Sequence, residues 1–532
     1  MDRWQQTQDR GRLVESPITR ALKAPAKGNS PARTVYPTDK SNTSPHRESA
    51  TATGWPRLLV DSGIQCRFHK KWNIYSYEAY SIRIGIEKPC LKPSWHCIDT
   101  MGSIETPVPV DPQQLSTDPE VGSELSTEIL EKLSGLLDLY VDDDAARTIM
   151  QVARRPAPDE KHFPHHTIPG TKRYNYQSSK WWTSGFFPGS IWLLYQRSLE
   201  RPLPFSSYEI RQVAQQWQTG LEQEQFNTET HDLGFMIMPA FYRDYVLTGS
   251  PSSRDIVIQA ARSLSTRWND TVQCFRSWDR CISKRFSYED CDTNFLVIID
   301  NMMNLDLLYV ASSLTGDPEF ARRATAHAWT TLKYHLRPDF GTYHLVNYDP
   351  VSGAVKDRHT VQGFADESTW TRGQAWALYG FAKAYHFTGE PAFLEASRNL
   401  ARYFCRRVNE TAADGAVYWD FDAPKVPELW DTSAAMIASS GILLLYQLRG
   451  DTECLPTVIK ILETCAHRAR NPLNADTILD HATVNNNLAA NNQVRDTGLV
   501  YADYYFLEVG NRLLEILGKV KADIVSHSTA KI

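Results

Sequence analysis

The sequence predicts an all-α toroid, six helix hairpins closed into a ring of inner and outer helices, and three observations carry that prediction. Asp232, Asp300, Arg372, Ser433 and Tyr501 are each followed 16 or 17 residues later by a glycine, at Gly249, Gly316, Gly389, Gly450 and Gly518. A sixth copy lacks the glycine but keeps the spacing, with Ser184 17 residues ahead of Arg201 and Pro202 behind it. The copies recur at intervals of 48, 68, 72, 61 and 68 residues, too long and too irregular for a helical array of about 34 residues per repeat.

Each element has a local reason. Gly316 and Gly389 close the apolar-periodic runs of "LLYVASSLTGDPEFARRA" and "LYGFAKAYHFTGEPAFLEAS", where a left-handed residue ends a helix. Asp317 and Glu390 then fall at the next helix start, and Pro318 and Pro391 suit its first turn. A run of this length rises about 25 Å, enough to cross a domain. If the inner helices all run the same way, their N-terminal ends meet around one mouth, and Asp232, Asp300, Arg372 and Ser433 face a common pocket. Taken singly, Asp232, Asp300 and Ser433 read first as helix caps. Arg372 does not, because a cation at a helix N-terminus opposes the dipole.

Composition narrows the class. The chain has 532 residues, 42% of them hydrophobic, and a net charge of −5 with no dominant basic run in the repeat region, so no nucleic-acid partner is expected. No apolar stretch reaches the roughly 18 residues of a membrane span, and "MDRWQQTQDRGRLVESP" has no signal-peptide core. Nine cysteines, an odd number without zinc-type pairing, suit a reducing cytoplasm. Cys274, Cys281 and Cys291 lie in a loop between the second and third copies, where a disulfide or metal is a minor alternative. The sequons at Asn269 and Asn409 matter only in a secreted chain. No phosphate loop, nucleotide fingerprint or metal-ligand helix motif is present, so no cofactor and no metal are expected. Oligomeric state is left open.

The first hundred residues differ from the rest. Residues 16–55 are rich in Ser, Thr, Pro, Ala and Lys without apolar periodicity, a composition that favours disorder. Cys66, His69, Cys90, His96 and Cys97 resemble metal ligands in type, but their spacing fits no zinc pattern. The expected organisation is therefore a poorly structured extension over 1–100 and a single catalytic domain over 101–532.

The motifs at the helix starts are specific. "WWTSGFFPGSIW" (181–192), "HDLGF" (231–235), "IIDNMMNLDLLYVAS" (298–312), "STWTRGQAWALYGF" (368–381) and "DTSAAMIASSGILLL" (431–445) resemble, in the same order, the unsaturated glucuronyl hydrolases of glycoside hydrolase family 88. The resemblance spans about residues 125–515 and implies an (α/α)6 barrel that removes a terminal Δ4,5-unsaturated uronic acid from lyase-generated oligosaccharides. It makes Asp300 the general acid/base and Asp232 the second essential carboxylate. It makes Arg372, Trp376, His344, Thr360 and Gln362 substrate contacts and Trp182 an aromatic lining the sugar subsite. His231 and Ser433, beside the carboxylate and at a helix start, complete the substrate-facing candidates. One departure is visible: Val361 stands before Gln362 where the family pattern leads one to expect histidine.

Those residue types suit hydration of an enol ether. A protonated Asp300 gives its proton to C4, positive charge develops at C5 and the ring oxygen, and water adds at C5 while a carboxylate takes its proton. The hemiketal then opens and expels the rest of the sugar chain. A second carboxylate nearby keeps the acid protonated by like-charge repulsion, so activity is expected to peak on the acidic side of neutral. Trp181, Trp182, Trp370, Trp376, Trp419 and Trp430 lie near copy starts and offer faces for stacking on sugars, with core packing the alternative for each. Two other readings stay open at this point: an unsaturated rhamnogalacturonyl hydrolase of family 105, and a non-catalytic carbohydrate-binding toroid.

Overall fold

The computed structural model describes residues 125–155, 159 and 161–529. The expectations for residues 1–100, including the metal-like Cys/His group, lie outside the described residues.

In chain order the helices are α1 (Thr127–Tyr140), α2 (Asp143–Ala153), α3 (Phe186–Glu200), α4 (Ser207–Thr219), α5 (Leu233–Ile237), α6 (Arg243–Thr248), α7 (Pro251–Ser265), α8 (Asp306–Thr315), α9 (Pro318–Tyr334), α10 (Thr371–Thr388), α11 (Pro391–Thr411), α12 (Thr432–Arg449), α13 (Leu455–Arg468) and α14 (Val500–Thr529). The inner ring is α3, α5–α6, α8, α10, α12 and α14, each packed on the next, with α14 returning to α3. All six sequence copies therefore form inner helices. The outer helices α4, α7, α9, α11 and α13 each pair with the inner helix before them.

The sixth hairpin is split between the two ends of the described chain. Among the described residues no outer helix follows α14, and α1 packs against both α13 and α14 in that position. Ring closure thus depends on residues before the first copy, which the spacing over 180–520 does not reveal. The approach is close: a Cβ added at Gly510 would sit 2.6 Å from the Tyr140 carbonyl oxygen.

Burial follows from the layering. Every residue from Thr371 to Ala382 in α10 and from Thr432 to Leu443 in α12 is buried, as expected for helices with neighbours on all sides. Outer helices such as α11 bury one face and expose the other. Gly249, Gly316, Gly389 and Gly450 end their helices at φ of 75°, 73°, 67° and 70°. Asp317 and Glu390 accept from backbone N–H groups at the next helix starts. Gly518 corrects the pattern, since α14 runs through it to Thr529.

Two inner helices are interrupted. Met238–Tyr242 is a π-helical turn between α5 and α6, where Pro239 offers no N–H to the ladder. Ahead of α8, a 3₁₀ turn over Ile299–Met303 carries Asp300. Small sheets line the mouth: β1 (His162–Thr167) pairs with β2 (Tyr174–Ser178), and β3 (Phe295–Ile298), β4 (Leu345–Tyr348) and β5 (Val355–His359) form an antiparallel sheet with β4 central. β3 feeds directly into the turn bearing Asp300.

Candidate active site

Asp232 and Asp300 are both buried, yet neither caps a helix. Asp232 occupies the N-cap position of α5 without a side-chain cap hydrogen bond, and Asp300 lies inside its turn, one residue past the start, where Ile298 is the cap. The Asp232 carboxylate instead accepts from Thr230 Oγ1 at 3.1 Å. Burial pushes Asp232 up to about 6, opposed by the Thr230 hydrogen bond and the Arg267 charge. Burial also pushes Asp300 up to about 7, with the Arg372 charge opposing and the Asp232 charge adding to the rise. Asp300 is therefore the better proton reservoir near neutrality, and it feels the Asp232 charge.

Each carboxylate is faced by a histidine. His231 Nε2 lies 3.2 Å from Asp232 Oδ1, and its Nδ1 donates to the Ser277 carbonyl at 2.9 Å. His344 Nε2 lies 3.8 Å from Asp300 Oδ1, and its Nδ1 accepts from the Val361 N–H at 3.1 Å. Burial lowers both imidazoles to about 3, so both are neutral at physiological pH. Val361, the departure from the family pattern, contributes through its backbone.

Arg372 is buried and both of its terminal nitrogens are engaged within the protein. Nη1 donates to Asp431 Oδ2 and to the Thr483 carbonyl, and Nη2 donates to the Val484 carbonyl. Its guanidinium stacks on Trp370 at 4.7 Å and lies 5.6 Å from the Tyr501 ring centre. Ser433 is close to this pair, but the cap of α12 is Asp431, which accepts from the Ser433 and Ala434 N–H groups. Counting back 17 residues from Gly450 stops two residues short of the cap. The motif "DTSAA" contains the signal that would have found it, an acidic residue immediately before a helix start.

Aromatic rings form the wall opposite. Trp182 packs on Phe235 at 5.6 Å and on Tyr501 at 5.0 Å, and Phe235 packs on Trp376 at 4.9 Å. The buried indole nitrogens of Trp278 and Trp370 have no hydrogen-bond partner within the protein, while the Trp376 indole faces the Asp300 carboxyl and opposes the rise of its pKa. Such groups gather where polar atoms of a ligand complete the bonding. Trp278, which packs edge-on to His344 at 5.9 Å, was not signalled by the sequence.

The remaining candidates bind the loops that surround the mouth. Gln362 Nε2 donates to the Val484 carbonyl at 3.1 Å, and Thr360 Oγ1 accepts from the Gly363 N–H at 2.8 Å. Asn487 Nδ2 donates to the Gly363 carbonyl at 2.6 Å. The Gln362 and Asn487 bonds fasten 360–364 to 483–487, and the Thr360 bond closes a turn within the first of them. In the loop between the second and third copies, Cys274 is a buried thiol and Cys291 Sγ–H donates to the Asp279 carbonyl at 3.2 Å. Among the described residues no His, Cys, Asp and Glu group is arranged to hold a metal ion.

An unsaturated glucuronyl hydrolase of Formosa agariphila is 38% identical over 348 residues, covering 64% of this chain and 82% of the relative. The chain belongs to the unsaturated glucuronyl hydrolases. As a member of that family it is a glycosidase. No family model matches the sequence. The crystal structure of an unsaturated glucuronyl hydrolase specific for heparin superposes with a TM-score of 0.63 at 31% identity, covering 73% of this chain and 98% of the other. A second unsaturated glucuronyl hydrolase, solved with dGlcA-Glc-Rha-Glc, gives 0.61 at 27% identity and covers 73% and 96%. The (α/α)6 barrel expected from the hairpin count is the fold of this glycosidase.

Proposed function

We propose that this unsaturated glucuronyl hydrolase releases the terminal Δ4,5-unsaturated uronic acid by hydrating its C4=C5 bond, with Asp300 as the acid and Asp232 as its partner carboxylate. The observation that carries the assignment is a pair of buried carboxylates at the starts of neighbouring inner helices, with Asp300 held up to about 7 by burial and by the Asp232 charge. An acid that gives a proton to carbon must be protonated at the working pH. Desolvation supplies that condition here, reinforced by the second carboxylate.

The surroundings support the same reaction. Trp182, Phe235 and Trp376 offer apolar faces to a sugar ring. Arg372, although engaged by Asp431 and two carbonyls, sets a positive potential near Asp300 that favours an anionic substrate. Gln362, Thr360 and Ser433 act on substrate through the loops and helix start they hold in place. The barrel is the catalytic unit, and the extension over 1–100 is dispensable. No helix among the described residues is long and apolar enough to cross a membrane, and Cys274, Cys405, Cys454 and Cys465 are thiols. The free thiols support a cytoplasmic enzyme.

Mixing the protein with an unsaturated disaccharide tests the reading directly. Hydration destroys the conjugated chromophore, so ultraviolet absorbance falls with time. Absence of that fall with both chondroitin-derived and pectin-derived disaccharides would overturn the assignment, and turnover of the pectin-derived one alone would move the chain to the family 105 activity.

A further inference from the structure

The two site histidines are held in opposite tautomers. A carbonyl oxygen only accepts, so the 2.9 Å contact between His231 Nδ1 and Ser277 O places the ring proton on Nδ1. In the neutral ring Nε2 then carries a lone pair, and that lone pair faces Asp232 Oδ1 at 3.2 Å. A backbone N–H only donates, so the 3.1 Å contact from Val361 makes His344 Nδ1 the acceptor and leaves the proton on Nε2. That N–H faces Asp300 Oδ1 at 3.8 Å. The second nitrogen of each ring has no other hydrogen-bond partner.

Both anchors are rigid. Ser277 donates its N–H to the Leu296 carbonyl at 2.7 Å, and its Oγ accepts from Ile298 N–H at 3.0 Å. Its carbonyl also receives Arg267 Nη2 at 3.3 Å. The His344 backbone carbonyl accepts from the Ile299 N–H at 2.9 Å, one residue from the acid, and its ring packs 4.5 Å from Trp370.

We propose that these opposed tautomers divide the proton transfers, His344 making Asp300 the donor to carbon and His231 making Asp232 the acceptor of the proton released by the attacking water. The proposal rests on the hydration reading above. A carboxylate facing a lone pair is favoured in its protonated form, and one facing an N–H is favoured ionised. His231 therefore strengthens Asp232 as a base, and His344 strengthens Asp300 as an acid. The atoms balance. The Asp300 O–H breaks as the C4=C5 electron pair takes the proton at C4. The water oxygen bonds to C5 and its O–H bond breaks, leaving the proton on Asp232 Oδ1 against His231 Nε2. After the hemiketal opens, that proton returns to Asp300 through solvent. His231 is a positioning residue on this reading, since it acts through Asp232.

Other groups face the same side chains. Arg267 and Asp279 face His231, with Arg267 and Thr230 acting on Asp232. Arg372 and Asp232 act on Asp300, and Arg372 and His335 act on His344.

Two asparagine variants test the division. His231→Asn keeps a donor for Ser277 O and removes the lone pair; His344→Asn keeps an acceptor for Val361 N–H and removes the facing N–H. Each is expected to lose about 10- to 100-fold in kcat, the range seen when a partner that orients a functional group is removed. In the kcat/KM profile, His231→Asn moves the acidic limb to lower pH and His344→Asn moves the basic limb to higher pH. Limbs that stay in place, or move in the same direction, overturn the proposal while wild-type turnover of the disaccharide leaves the hydration reading standing. Should either variant fail to fold, neutron diffraction from the unsubstituted protein decides: deuterium on His231 Nδ1 and His344 Nε2 supports the division, and any other distribution overturns it.

Discussion

Arg372 and Asp431 form an ion pair in which both side chains are buried, joining the start of α10 to the cap of α12. The same arginine holds the 483–484 backbone, so one residue couples two inner helices to a loop at the mouth. Removing one member of a buried pair leaves an uncompensated charge and costs about 3–5 kcal/mol. Asp431→Ala is expected to lower stability by that order, seen as a shifted denaturant midpoint, and to reduce turnover as the loop loosens. An unchanged midpoint would show that water reaches Arg372 in solution.

Asp300→Asn replaces a carboxyl that burial already favours in its neutral form, so the melting temperature should hold. Turnover should not, because an amide gives no proton to carbon; a loss of about 100- to 10,000-fold is expected. Steady-state kinetics beside a thermal melt check both halves.

The pH–rate profile follows from the two shifts. As pH falls through about 6, Asp232 takes up a proton and ceases to act as base. As pH rises through about 7, Asp300 loses the proton it must donate. Activity is therefore expected to be bell-shaped with a slightly acidic maximum, the two limbs belonging to a coupled pair. A maximum in the alkaline range contradicts the assignment.

Gly510→Ala tests ring closure separately from chemistry. The added methyl would press on the Tyr140 carbonyl and on Arg197 Nη2, each 2.6 Å away, and overpacking of this kind costs about 1–3 kcal/mol. The variant should unfold earlier in denaturant while its folded fraction turns over substrate normally.

Deleting residues 1–100 is expected to change neither the melting temperature nor kcat/KM, because the described barrel begins with α1 and the site residues all lie beyond it. A large loss of either quantity would place part of the fold in the extension.

Much of the architecture was legible because helix ends have local chemistry. Gly316, Gly389 and Gly450 adopt positive φ where a side chain would be strained, and Asp317 and Glu390 cap the helices that follow, so spacing alone gave six inner helices. Gly518 misled because α14 continues through it to Thr529; a glycine ends a helix only when the chain must turn. Asp431 was missed for a related reason: the count fixed on Ser433, while the acidic residue two positions earlier holds both the cap and Arg372.

The sequence by itself determined the hairpin count, the common mouth and the family to which the two carboxylates belong, because periodicity, terminal glycines and short motifs are local in the chain. Only the tertiary structure decided that α1 closes the ring, that Arg372 faces Asp431 and two carbonyls, and that His231 and His344 are opposite tautomers. Each of those depends on a partner far away in sequence, such as Ser277 for His231 or Tyr140 for Gly510. Burial set by the whole barrel, rather than by any motif, is what raises Asp300 to about 7 and readies it as an acid.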